Sequence, residues 1–596
     1  MLTMTRAPSD EYVLGVNHSM TARRWLWRRG EDRVALGIAQ KLGVPEIIGR
    51  LLAARGLTLD DAAHFLEPTL RAMLPDPSAL RDMDAAAERL AAAVRGSECV
   101  AIFGDYDVDG ACSGALLALV LRSLGCQVMN HVPDRMTEGY GPNAPALTAL
   151  AARGATLIVC VDCGTSAAVA LHAVQGLADV VVLDHHASEG PPPPVLATVN
   201  PNRLDDSSGL HGLCAAAVTF LTCVALLRVL RRSQYFATRP EPNLLEMLDL
   251  VALATVCDVM PLTGLNRALV RQGLKILTRR DRPGLAALQD VAQTRAPADA
   301  FTLGYALGPR INAAGRISEA DMGLRLLLTD DPTEATRLAL ALDAINRQRQ
   351  AVEASMVEEA HTAAAAQIAA GHAVLMVSGP DWHPGVVGIV AGRLKERHNR
   401  PACVAGVANG IARGSGRSVT GLDLGAAVVA ARQRGILSTG GGHAMAAGFS
   451  LSASRIQEFW ALLDERLTEA RNLPRAPDLR VEGSLTISGA TPDLAESVAR
   501  LSPFGRGNEE PVFVLPHVRV GRADRVGSDG GTIRAYLEGE GGGRLKAMLF
   551  RAHDGALAQC LLSRSGAPLH ISGHLRAETW CGRVSAGFHI ADIATP

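Results

Sequence analysis

The sequence predicts an α/β protein of several domains: a parallel-sheet domain, a second α/β domain joined to it by a long helix, and a small C-terminal β-barrel. Three observations predict this. Between about residues 99 and 260, short apolar runs alternate with helical stretches, as parallel strands with crossover helices do. From Pro332 to Ala370 an Ala/Glu/Gln-rich stretch continues almost without interruption, as one or two long helices. After about Ala476 helical periodicity fades, and β-rich runs (Val512 to Leu515, Lys546 to Phe550, Leu569 to Ile571) alternate with Gly-rich turns, the pattern of a small barrel or sandwich.

A chain of 596 residues is too long for one hydrophobic core. Its 48% apolar and 20% charged residues describe a folded chain. The formal charge of −1 excludes a uniformly basic nucleic-acid binder and leaves room for a local basic groove. Several of the eleven cysteines sit in apolar runs (Cys112, Cys160, Cys223, Cys257), as reduced, buried thiols do. The single C-x-x-C, Cys160 to Cys163, has no second pair at zinc spacing. Met1 to Val13 carries acids and no apolar core of a signal peptide. The longest apolar run, Leu213 to Leu227, is short for a membrane helix. The expectation is a cytoplasmic protein with no membrane association.

In chain order, residues 1–98 read as an Ala/Leu/Arg-rich helical segment without evident chemistry, in a packing role. Residues 99–330 hold the first α/β domain. Val100 to Phe103 is its first strand, followed at once by an acidic loop and a helix from Ala111 to Leu124. Cys126 to Val132, Thr156 to Val161 and Asp179 to Leu183 are further strands, and Pro191 to Pro194 is a loop. Residues 331–371 form the connecting helix, 372–471 the second α/β domain, and 476–596 the β domain.

The chemistry starts at Ile102-Phe103-Gly104-Asp105-Tyr106-Asp107-Val108-Asp109-Gly110, a buried strand that ends in three alternating carboxylates. Carboxylates crowded this closely repel one another unless a cation is present. An acidic surface loop or a calcium loop is the alternative reading of this stretch alone. Three more apolar runs also end on acids or histidines: at Asp162, at Asp184-His185-His186 and at Asp258. In a parallel sheet such ends share one edge, so the side chains can converge. Imidazole among carboxylates suits manganese or magnesium better than a thiol-rich zinc site.

GDYDVDG, the aspartate of VCVDCG, LDHH and TVCDV, in this order, resemble the four motifs of the DHH phosphoesterase superfamily. GPRINAAGR (Gly308 to Arg316), NRQRQ (Asn346 to Gln350), WHPGVVGIVAGRL (Trp382 to Leu394), SGRS, GGGHAMAAGF and PFGRGN (Pro503 to Asn508) are similar to its bacterial single-strand-specific 5′→3′ DNA exonucleases. The resemblance implies a DHH phosphoesterase domain, a DHH-associated substrate-binding domain and a C-terminal OB-fold. It implies two Mn2+ or Mg2+ ions, with Asp105 and Asp107 on one, Asp109, His185 and Asp258 on the other, and Asp162 bridging. His186 would contact the scissile phosphate and assist the leaving oxygen, or else orient a neighbouring ligand.

Arg310, Arg316, Arg393 and Arg417 are candidate phosphate contacts, since guanidinium pairs bidentately with phosphate. Gly441 and Gly442 would let the backbone approach a phosphate that His443 could hydrogen-bond. Many relatives carry His where this chain has Phe103, so one metal is expected to have a ligand fewer. In the β domain Phe504, Phe513, Tyr536, Phe550 and Trp580 supply rings, each better suited to the core than to stacking. The family further implies single-stranded DNA as substrate, single-strand-binding protein and a helicase as partners, and a monomer. The other readings are a phosphodiesterase of short oligonucleotides or cyclic dinucleotides, and a non-catalytic DNA-binding scaffold.

Overall fold

The computed structural model describes residues 12–596 apart from 136, 189, 295–296, 475, 528–529, 553–554, 564–565 and 581. By its internal contacts the chain forms two units: residues 67–350 with 503–509, and residues 12–66, 351–502 and 510–596.

The first unit is built on five parallel strands: β1 (Cys99–Gly104), β2 (Gln127–His131), β3 (Leu157–Val161), β4 (Asp179–Leu183) and β5 (Ala197–Val199). Their spatial order is β2-β1-β3-β4-β5. The strand order reverses between β1 and β3, and ligands of open parallel sheets bind at the carboxyl ends beside such a reversal. Successive β1 residues point to opposite faces: Val100 and Ile102 join one apolar layer, Ala101 and Phe103 the other. The longer run, Val108–Ser123, is helix α1, buried nearly all round because it lies between β1 and the helices behind it. Two of those are α2 (Ala215–Arg232) and α3 (Leu248–Cys257). The apolar run Leu213 to Leu227 is thus the buried core of α2, and no helix among the described residues is long and apolar enough to cross a membrane.

Two expectations change here. The run ending at Asp258 is a helix, and Asp258 is its C-cap, with its N–H on the Ala254 carbonyl (2.9 Å). A largely buried, mostly apolar run of this length reads alike as strand or helix. Strand β5, just past the prolines, was not anticipated.

After α4 (Gly308–Ile317), helix α5 (Pro332–Ala369) is one continuous element that begins in the first unit and ends in the second. There, β6 (Leu375–Pro380), β7 (Ala402–Ala408), β8 (Ile411–Arg417), β9 (Thr439–His443) and β10 (Ala446–Ser452) form a sheet ordered β9-β10-β8-β7-β6. Only β6 and β7 run parallel.

The C-terminal strands β11 (Phe513–Val526), β12 (Thr532–Glu538), β13 (Arg544–Leu549), β14 (Leu569–Trp580) and β15 (Arg583–Ala594) pair in a ring that the β11–β14 pairing closes. They are longer than the apolar runs that announced them, because one face of each is polar. Phe513 is core, Phe550 is half exposed, and the Trp580 side chain lies outside the described residues. The same holds for the N-terminal stretch as far as residue 11. A strand at Trp25–Trp27, paired with Leu479–Val481, interrupts the N-terminal helices that the sequence predicted.

Candidate metal centre

Three neighbouring strands place a carboxylate directly after their last residue: Asp105 after β1, Asp162 after β3 and Asp184 after β4. Asp162 holds a left-handed backbone conformation (φ 60°), uncommon away from glycine and concentrated at functional sites. Asp107 caps α1 by accepting the N–H groups of Asp109 (2.9 Å) and Gly110 (3.1 Å). Asp109, one turn inside α1, accepts Ala215 N–H (2.7 Å) and Ala216 N–H (2.8 Å) at the start of α2. A helix N-terminus thereby fixes both of its oxygens.

Potential ligand atoms converge in overlapping groups, each within a 4.8 Å span: Asp105, Asp107 and Asp162; Asp109, His185 and Asp258; Asp162, His185 and His186. His185 Nε2 lies 3.3 Å from Asp162 Oδ1, 3.5 Å from Asp258 Oδ2 and 3.7 Å from Asp109 Oδ2. Asp162 thus joins Asp105 and Asp107 on one side and reaches His185 on the other, so it sits where a bridge would be needed.

The donor set fits divalent cations. Asp105 Oδ1, Asp162 Oδ1 and Asp258 Oδ2 are buried and accept no hydrogen bond. Such orphaned acceptors are costly unless an ion completes them. Burial, then the Asp107 charge, pushes the Asp105 carboxyl up to about 8. Burial, then Asp109 and Asp107, does the same to Asp258. Asp162 is driven far upward by burial and four neighbouring carboxylates. A cation in their midst reverses this. Among the described residues no cysteine belongs to these groups. Cys160 and Cys163 are buried free thiols, with Cys163 Sγ 3.4 Å from the Val161 carbonyl.

His186 stands at the open side. Its Nδ1 is 2.7 Å from Asp184 Oδ1, and its Nε2 is 3.2 Å from the Tyr140 hydroxyl. Burial alone would lower the imidazole; the Asp184 bond and charge overcome it and raise it to about 9. Burial works upward on Asp184, but His186 and Thr165 hold it well below the usual carboxylate range. Asn200 supports the loop from below, donating to the His186 carbonyl (2.9 Å) and Thr165 Oγ1 (2.8 Å).

Tyr140, Arg135 and Asn200 were absent from the sequence reading. The Arg135 guanidinium lies over the Tyr106 ring (4.1 Å), and the Tyr106 ring meets Tyr140 edge-on (6.3 Å). The V-P-D-R and E-G-Y-G sequence that carries two of them resembles any polar turn; only the fold brings it to the acids. Phe103 is fully buried in the apolar layer, its ring 5.0 Å from that of His131, and adds nothing to the cluster.

The predicted phosphate contacts divide. Arg310 bonds Asp343 (2.9 Å) and the Ala306 carbonyl (2.6 Å). Arg316 is near enough to act on the Tyr106 hydroxyl. The rest belong to the second unit. Arg393 pairs with Glu353 (3.1 Å), and Arg417 bonds Ser415 Oγ (2.8 Å). Gly441 and Gly442 lie on β9, with His443 exposed at its end. A Cβ on Gly442 would meet the Ala446 carbonyl at 2.4 Å, so the β9–β10 pairing itself demands that glycine; at Gly441 a Cβ would meet open space.

A five-stranded parallel sheet with this carboxylate–imidazole cluster across its switch point defines a DHH phosphoesterase. Family models agree: DHH family, N-terminal domain, at residues 99–255; DHHA1 domain at 366–469; RecJ OB domain at 481–592. The single-stranded-DNA-specific exonuclease RecJ of Dickeya dadantii is 39% identical over 79% of this chain and 83% of its own. That of Escherichia coli is 37% identical over 84% and 88%. The crystal structure of RecJ in complex with Mn2+ from Thermus thermophilus superposes with a TM-score of 0.79 at 29% identity, covering 96% of this chain and 79% of that one. The chain belongs to the RecJ family, and it is a nuclease of the DHH class.

Proposed function

We propose that the protein degrades single-stranded DNA from the 5′ end and releases 5′-mononucleotides. The observation that carries this reading is the shared carboxylate cluster: Asp162 belongs to one ligand group with Asp105 and Asp107 and to another with His185 and His186, and three buried oxygens of the cluster accept no hydrogen bond. Asp105, Asp107 and Asp162 would hold one Mn2+ or Mg2+ ion, and Asp109, His185, Asp258 and Asp162 the second. Two such ions supply nucleophile activation and charge neutralisation on the phosphoryl oxygens.

The chain's own groups do the rest. Asp109 stays in place because the α2 N-terminus grips both oxygens. His186, kept protonated by Asp184, faces the open side and donates to the scissile phosphate or the departing oxygen. Arg316, Arg417, Gly441, Gly442 and His443 contact the strand's backbone. Arg310 and Arg393, held by Asp343 and Glu353, contribute their remaining donors.

Residues 99–330 act as the catalytic domain, 372–471 as the substrate-binding domain and 476–596 as the single-strand-binding OB-fold, with 331–371 as the connector and 1–98 as a helical segment in a packing role. We place the protein in the cytoplasm as a monomer, working with single-strand-binding protein and a helicase. The test is a labelled single strand with Mn2+ or Mg2+, read for polarity and product size beside a dinucleotide substrate. Endonucleolytic products, or a preference for the dinucleotide, would overturn the reading.

A further inference from the structure

The segment Pro503–Glu509 belongs by its contacts to the unit that holds the acid cluster, although the chain before and after it belongs to the other. It is clamped onto the turn that follows Asp258. Leu262 N–H donates to the Arg506 carbonyl (2.8 Å), and Arg506 Nη1 donates to the Val259 carbonyl (3.3 Å). Arg506 thus grips the turn at both ends. Val259 holds φ 56° and is 59% exposed, an unusual combination for a β-branched residue.

The loop has little slack. A Cβ on Gly505 would meet Leu262 Cδ1 at 2.8 Å, and one on Gly507, itself at φ 75°, would lie 3.2 Å from Pro261 Cβ. Fully buried Asn508 closes the loop by donating to the Pro503 carbonyl (2.8 Å). Held in this way, the Arg506 side chain is exposed. Among the described residues its guanidinium makes that single hydrogen bond and no ion pair, although its charge is felt at Asp258. An arginine with most of its donors unused, fixed beside a metal ligand, matches a phosphodiester. The charge balance points the same way. Five carboxylates (Asp105, Asp107, Asp109, Asp162, Asp258) against two divalent ions leave the site net negative, so an incoming strand needs cations at the rim.

Resting on the nuclease reading above, we propose that Arg506 binds a backbone phosphate of the single strand next to the scissile bond, making PFGRGN part of the substrate site. The test compares Arg506→Gln and Arg506→Lys in an Asp162→Ala background, with binding of a 5′-phosphorylated oligothymidylate followed by anisotropy across a salt series. The Gln variant should weaken binding roughly tenfold, as the loss of one charge-assisted contact does. It should also flatten the log Kd against log salt slope by about 0.7, one single-strand phosphate contact. The Lys variant should keep the slope. Mn2+ binding to DNA-free Arg506→Gln, with Asp162 intact, should match the parent by calorimetry. An unchanged slope in the Gln variant overturns the proposal. So does a loss of Mn2+ affinity without a change of slope, because Arg506 would then act only by seating Asp258. If the parent binds no single strand at all, the nuclease reading falls first.

Discussion

His186 Nδ1 and Asp184 Oδ1 lie 2.7 Å apart, and this bond sets the charge of the one imidazole that faces the open side of the site. Asp184 is itself buried, and it also receives the backbone N–H groups of Thr165 (3.0 Å) and His185 (2.7 Å). It is therefore a fixed anion that holds His186 in one orientation, as a carboxylate does for a working histidine elsewhere. Asp184→Asn removes the charge and keeps the shape. Cleavage should fall by roughly 10–100-fold, the range for a lost supporting carboxylate. The direction on pH follows from the sign of the shift: Asp184 raises His186, so without it the protonated imidazole disappears at lower pH. The alkaline limb of the pH–rate profile should move to lower pH, while Mn2+ affinity holds.

Asp162 belongs to two of the three ligand groups, so its loss should remove more than one ligand's worth of function. Asp162→Ala should abolish cleavage and reduce the metal bound per chain by more than Asp107→Ala does, measured by metal analysis after dialysis. Equal stoichiometry in the two variants would remove Asp162 from the bridging position.

The metal-free protein should be more stable in mild acid than in mild alkali. Asp105 and Asp258 are raised to about 8 when folded, against about 4 when unfolded. Between those values the folded chain binds more protons than the unfolded one, so stability falls as pH rises through the window. Added Mn2+ should reverse the trend. Thermal unfolding in EDTA and in Mn2+, at about pH 5.5 and about pH 8, should show a metal-induced rise in Tm that grows with pH.

Asp109 has a second duty, at the start of α2. Replacing it by Ala leaves the Ala215 and Ala216 N–H groups buried without acceptors, at about 1–3 kcal/mol per group. Asp109→Asn keeps one acceptor and avoids a buried charge. In EDTA, urea unfolding should place the Ala variant about 2–6 kcal/mol below the parent and the Asn variant, which leaves one N–H unmatched, about 1–3 kcal/mol below it. Both should lose metal-dependent cleavage.

The order of this chemistry was legible because three neighbouring strands, β1, β3 and β4, each stop just before a residue that acts. Asp105, Asp162 and the Asp184-His185-His186 run all stand where an apolar run stops, and a parallel sheet puts those stops on one edge. Asp258 was recognisable as a member of the set, but its carrier was not. Leu248 to Cys257 is apolar but for Asp249 and Thr255, and such a run has no clear period to betray a helix. What stayed hidden depends on long-range partners. Nothing local tells that Arg310 is held by Asp343, that Tyr140 reaches His186, or that Arg506 lies on the turn after Asp258.

GPRINAAGR shows the same limit, and it supports the sharpest test of how the acidic loop is held. Its arginines drew attention, yet Asn312 and Gly315 press directly on the loop's backbone. Asn312 Oδ1 accepts the Val108 N–H (3.1 Å), and Gly315 lies so close that a Cβ there would meet the Tyr106 carbonyl at 2.4 Å. Three residues apart on α4, the two share a face that presses on the backbone between Asp105 and Asp109. Gly315→Ala cannot be absorbed by a side chain, because the colliding atom is backbone. The loop must retreat by a sizeable fraction of an ångström, and displacement on the scale of about 1 Å costs about a hundredfold in rate. Gly315→Ala should therefore fold, bind Mn2+ more weakly and cleave roughly 10–100-fold more slowly. Asn312→Ala, which removes a bond without adding a clash, should be milder. If Gly315→Ala matched the parent in both Mn2+ affinity and rate, α4 would not be what positions Asp105 and Asp107.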